Sequence, residues 1–72
     1  MTPFEVAQRL HAQSGVLFSQ NRLAEAESLC ARSLQIARGI LGAPTVAVLI
    51  ANDLVQILLR AGKYVAALQT AT

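Results

Sequence analysis

Asn21-Arg22-Leu23-Ala24-Glu25-Ala26 and Gly62-Lys63-Tyr64-Val65-Ala66-Ala67 lie 41 positions apart, Asn21 against Gly62. Each opens on a residue that tolerates left-handed backbone. A basic residue comes second, then a large apolar or aromatic one, then an alanine three positions after that. A left-handed residue closes one helix, and the residues after it open the next. Two such turns at a fixed period point to helical hairpins that stack because none can bury its apolar face alone. A stacked array suggests a binding scaffold rather than a catalyst.

Upstream of the first turn, Thr2-Pro3-Phe4-Glu5 reads as a helix start. Thr2 caps, Pro3 suits the first helical position and Glu5 completes a capping box. The stripe Ala7, Leu10, Ser14, Leu17 then steps by three and four. Glu5 and Arg9 form an expected i,i+4 pair. Ser14 and Gly15 are small enough to admit another helix closely. The helix should stop near Gln20.

The second helix, about 22–38, carries Leu23, Ala26, Leu29, Cys30, Ser33, Leu34 and Ala37 on one face. Arg38 suits its C-terminal dipole, and Gly39 and Gly42 mark its end. The third helix, about 44–60, is apolar around most of its circumference. Only Asn52, Asp53, Gln56 and Arg60 make a polar strip, so it is expected to be buried nearly all round. The run Val46-Ala47-Val48-Leu49-Ile50 also suits a strand, but length and the i,i+4 polar strip favour the helix.

Beyond Gly62, a fourth helix over about 63–72 would bury Tyr64, Ala67, Leu68 and Ala71. It is shorter than the second helix. Either the array continues, or another chain covers the open end. The expected fold is all-α, with helices at about 3–20, 22–38, 44–60 and 63–72 forming two stacked antiparallel hairpins. They make one domain over 1–72, with repeat one at 3–42 and repeat two at 43–72.

The totals agree with this. Seventy-two residues make one small domain, which buries only about 60% of its unfolded surface. Apolar residues are 54% and charged residues 14% of the chain, too apolar for disorder. Six Lys and Arg against four Asp and Glu leave a net charge of +2. The basic residues are scattered, so no nucleic-acid footprint is expected. The longest apolar stretch, 46–59, is interrupted by Asn52, Asp53 and Gln56 and falls short of the ~20 residues of a membrane span. Met1-Thr2-Pro3-Phe4-Glu5 does not read as a signal peptide. One cysteine, Cys30, makes no internal disulfide, so a reducing, cytoplasmic setting is the expectation.

The chain resembles tetratricopeptide repeats of the longer type found in kinesin light chains. Asn52-Asp53-Leu54-Val55 resembles the Asn-Asn-Leu-Ala of a first helix, and Gly62-Lys63-Tyr64-Val65-Ala66-Ala67-Leu68 resembles the turn. Ala26-Glu27-Ser28-Leu29-Cys30 with Ser33-Leu34-Gln35-Ile36-Ala37 resembles the second helix. Leu41-Gly42-Ala43-Pro44 resembles the linker, shortened. Asn21 stands for the turn glycine, Leu23 for the tyrosine, Cys30 for an aromatic and Ser33 for an alanine.

The resemblance implies a non-catalytic scaffold that binds a protein or peptide along a concave face of first helices. Carried over by position, that face would hold Gln8, His11, Gly15 and Phe18, then Leu49, Asn52, Gln56, Leu59 and Arg60. Asn52 offers a peptide backbone both a donor and an acceptor. Phe18 and Leu59 would anchor apolar groups, and Arg60 would favour an acidic ligand. The bland alternative is a solvated polar strip, with Phe18 packed inward. A second functional reading is a self-associating helical module, or part of a longer array with no ligand of its own.

His11 and Ser14, one turn apart, suggest a base and a nucleophile, but no acidic residue at helical spacing orients the histidine. One His and one Cys do not make a metal site, and no cofactor is implied. Cys30 reads as a small buried hydrophobe, and Tyr64 as a packing residue of the turn.

Overall fold

The computed structural model describes residues 2–40 and 44–71. These form four helices: α1 (Pro3–Ser19), α2 (Leu23–Arg38), α3 (Pro44–Arg60) and α4 (Tyr64–Ala71). Each packs on the next in chain order, α1 on α2, α2 on α3 and α3 on α4. The result is two antiparallel hairpins laid side by side. No strand forms at 46–50, which lies inside α3. The linker residues 41–43 lie outside the described residues.

The two turns close identically. Asn21 has φ 61° and Gly62 φ 79°. At the first, Asn21 N–H donates to Phe18 O (3.0 Å) and Arg22 N–H to Leu17 O (2.9 Å). At the second, Gly62 N–H donates to Leu59 O (3.1 Å) and Lys63 N–H to Leu58 O (2.8 Å). This is the Schellman pattern, which satisfies carbonyls that a helix end otherwise leaves unpaired. The next helices also start alike, with Ala26 N–H on Arg22 O and Ala67 N–H on Lys63 O. Every one of these partners is offset by 41 residues.

Other ends behave differently. Thr2 Oγ1 accepts from Glu5 N–H at 3.2 Å, so α1 is capped as expected. Arg22, at the N-cap of α2, makes no side-chain cap and pairs with Glu25 instead. The expected Glu5–Arg9 pair is not among the ion pairs of the described residues. Gly39 keeps ordinary helical backbone (φ −82°), so its role at the end of α2 is not a left-handed stop.

The core is the seam between α2 and α3. Ala26, Cys30, Leu34 and Ala37 from α2 meet Ile50, Leu54, Ile57 and Leu58 from α3. Cys30 Sγ donates a weak bond to Ile50 O at 3.6 Å across it. Within the first hairpin, Ser33 Oγ donates to Ala7 O at 2.7 Å, and both residues are fully buried. Ser14 is also buried, so its small side chain does admit α2. Gly15 does not play that part: a Cβ there would meet nothing within 4 Å.

Two expectations about the second hairpin are corrected. The third helix is not buried all round, because Val48, Leu49 and Leu59 are exposed. Tyr64 does not pack into the turn, and of the expected α4 stripe Tyr64 and Leu68 face solvent while Ala67 is buried. An apolar side chain is buried only where a neighbouring element covers it, and here α4 covers only part of α3.

Candidate functional site

Two side-chain pairs bridge the first helices of the two hairpins. His11 Nε2 on α1 donates to Asp53 Oδ2 on α3. Two turns further along both helices, the guanidinium of Arg60 lies 5.0 Å from the centre of the Phe18 ring. Seven-residue steps on both helices, 11 to 18 and 53 to 60, keep these pairs on one face. With Arg60 itself exposed, a cation–ring contact of this kind is worth about 0.5–1 kcal/mol. The bridges therefore set α1 against α3 more than they stabilise the fold.

The residues read from the sequence divide accordingly. His11 is half-buried and engaged by Asp53. Phe18 is half-buried, packs against the core and carries Arg60 on its ring. Gln8, Asn52, Gln56 and Leu59 are exposed. Asn52 and Gln56 make no side-chain hydrogen bond among the described residues. By the 41-residue offset, Asn52 occupies the position of His11, and Leu59 that of Phe18. The same positions are engaged in the first hairpin and open in the second.

Asp53 is the residue the sequence reading missed as an orienter of His11. It lies 42 positions away, so no local spacing reveals it. The 41-residue offset makes Asp53 the equivalent of Ala12, which by itself reveals no contact with His11.

The pair does not recruit a nucleophile. Ser14 is buried, and its hydroxyl donates to His11 O at 2.7 Å rather than to the ring. Cys30 is fully buried. Burial first of all pushes its thiol above its ordinary pKa; the Asp53 charge adds to this, and a hydrogen bond with Ser14 opposes it. A protonated, enclosed thiol is a poor nucleophile.

Beside Asn52 is a shallow cleft of about 260 Å³, floored by Ala47, Val48, Ala51 and Val55, with Arg38 and Thr70 at its rim. Among the described residues no group of His, Cys, Asp or Glu is arranged to hold a metal ion. No described helix is long and apolar enough to cross a membrane.

Neither the curated proteins nor the solved structures searched returned a match to this chain. A family model for the tetratricopeptide repeat matches residues 6–45. That span takes in most of the first hairpin and reaches the start of α3. Repeats of this kind generally mediate protein–protein interaction and are generally non-catalytic scaffolds. With more than half of its length matched and its two turns closed by the same hydrogen bonds, the chain belongs to the tetratricopeptide repeat family.

Proposed function

We propose that this chain is a non-catalytic module that binds a peptide or protein partner along the face shared by α1 and α3. The observation that carries the reading is the pair of bridges, His11–Asp53 and Phe18–Arg60. They hold two helices side by side while Asn52, Gln56 and Leu59 stay uncommitted. The second repeat then supplies the handles. Asn52 and Gln56 each offer a donor and an acceptor to a peptide main chain, and Leu59 offers an apolar contact. Gln8 extends the strip along α1. His11 and Phe18 act mainly as supports, and Arg60 keeps unused N–H groups at its edge for an acidic partner.

The test is selection of binders from a random peptide library displayed on phage, followed by fluorescence polarisation with the selected peptides. Asn52→Ala is expected to weaken binding about five- to tenfold, the size of one net hydrogen bond. The melting temperature should not change, because Asn52 is exposed and bonded to nothing among the described residues. Unchanged affinity, or affinity lost together with stability, overturns the reading.

A further inference from the structure

Two ion pairs tie the hairpins to each other. His11 on α1 pairs with Asp53 on α3, which links the two first helices. Lys63, at the start of α4, pairs with Glu27 on α2 at 2.7 Å, which links the two second helices. The apolar seam of α2 and α3 lies between these ties. In the packing order α1 and α3 are not successive, and two side-chain bridges span them, His11–Asp53 and Phe18–Arg60.

The two ion pairs are chemically unlike. Imidazole is the side chain that ordinarily gains or loses its charge near neutral pH, whereas ammonium and carboxylate groups ordinarily keep theirs there. A protonated His11 ring carries a charge and an N–H donor towards the Asp53 carboxylate. When the proton passes to water, the ring is neutral and keeps a single N–H. What remains is a weaker hydrogen bond without the attraction of unlike charges. The side chains of His11 and Asp53 are 32% and 58% exposed, so the proton exchanges freely with solvent.

The surroundings leave this proton to the pair. The α2 face that packs on both helices, Ala26, Cys30, Ser33, Leu34 and Ala37, carries no charge. Its titratable group is the Cys30 thiol, held above its ordinary pKa chiefly by burial and further by the Asp53 charge. On α1, Glu5 and Arg9 are exposed, and at 3.6 residues per turn both point away from His11. On α3, Arg60 lies two turns on, over the Phe18 ring. At α4, Lys63 is taken by Glu27 and Tyr64 is exposed.

We infer that His11 is a proton-operated clasp between the hairpins. Charged, it holds α1 against α3 through Asp53. Neutral, it lets the first helices part, while Glu27 and Lys63 keep the second helices together as the hinge. The face that opens is the one proposed to bind peptides. The clasp belongs to the free chain, so its test needs no ligand and its failure is distinct from that of Asn52→Ala.

Thermal midpoints at about pH 5 and about pH 8, either side of the ordinary imidazole range, read the clasp. The attraction is present while the ring is charged and is lost as pH rises. Between the two conditions the parent should lose about 2–4 °C more than His11→Gln, the size expected of a partly exposed ion pair in a small domain. Glutamine keeps an N–H but cannot take up the charge. Asp53→Asn should flatten the dependence in the same way, because it leaves the ring no carboxylate. Glu27→Gln should lower the midpoint equally at both pH values. Nuclear Overhauser contacts locate the change in the parent: those between Phe18 and Arg60 should weaken at the higher pH, while those between Ala7 and Ser33 persist. Equal dependence in the parent and His11→Gln, a dependence that survives Asp53→Asn, an effect of Glu27→Gln that varies with pH, or Phe18–Arg60 contacts of equal strength at both pH values overturns the inference.

Discussion

The two hairpins share turns, start bonds and spacing, yet the same positions meet different fates. His11 and Phe18 are taken up by Asp53 and Arg60 of the neighbouring helix. Asn52 and Leu59, their equivalents, face solvent. Ala7 is sealed beneath α2, while Val48 stands open. The difference teaches that in a repeat the role of a position is set by what packs beside it as much as by its own side chain. A position covered by a neighbouring helix becomes structure, and one left uncovered stays exposed.

The largest expected effect separates a sealed position from an open one on the same helix. Ile50 is the largest of the fully buried side chains. Ile50→Ala should cost about 2–5 kcal/mol, the range for emptying a core site. Val48→Ala, two residues earlier, should stay within about 0.5 kcal/mol. Urea unfolding of both variants checks this. Similar costs would mean that α3 is not sealed on one side and open on the other.

The turns offer the next effect. Gly62 has open space around its missing Cβ but a left-handed φ. Gly62→Ala should therefore cost about 1–2 kcal/mol through backbone strain alone. Gly62→Asn, which copies the residue used at the first turn, should cost less, since Asn visits this region readily. Thermal unfolding ranks the two. An alanine as well tolerated as asparagine would show that the turns are not closed in the same way.

The smallest effect is chemical. The folded state holds the Cys30 thiol above its ordinary pKa, chiefly by burial. The unfolded thiol therefore ionises first as pH rises, and the native state binds more protons than the unfolded one. The stabilising contribution is complete below the unfolded pKa and is lost as pH rises through the folded value. Stability of the parent should fall more steeply in the alkaline range than that of Cys30→Ala, which lacks the group. Denaturant midpoints across that range measure the difference, and parallel curves would place the thiol in contact with solvent.

What could be read from the chain alone was local. Asn21 and Gly62 announce left-handed backbone by residue type. The α2 stripe of Ala26, Cys30, Ser33, Leu34 and Ala37 follows helical periodicity into the core, where all five are buried. Contacts across the seam were not readable, because the partners lie far apart in sequence. Asp53 comes to His11 from 42 positions away, and nothing in the spacing of α1 points to it. The exposed apolar faces of α3 and α4 were misjudged for a related reason. Hydrophobicity states a preference for cover, and only the packing decides whether cover is present. For the candidate strip, sequence supplied the residues, and the fold sorted them into engaged side chains, His11, Phe18 and Arg60, and exposed ones without a partner among the described residues, Asn52 and Gln56.

The stacking of the hairpins is the claim on which the rest depends, and nuclear Overhauser contacts between side chains test it most directly. Contacts from Ala7 to Ser33 report the first hairpin. Contacts from Cys30 to Ile50 and from the Phe18 ring to the Arg60 side chain report the seam between hairpins. Both sets are expected in one spectrum. Ala7–Ser33 contacts without Cys30–Ile50 and Phe18–Arg60 contacts would show hairpins that form but do not stack, and would contradict the account.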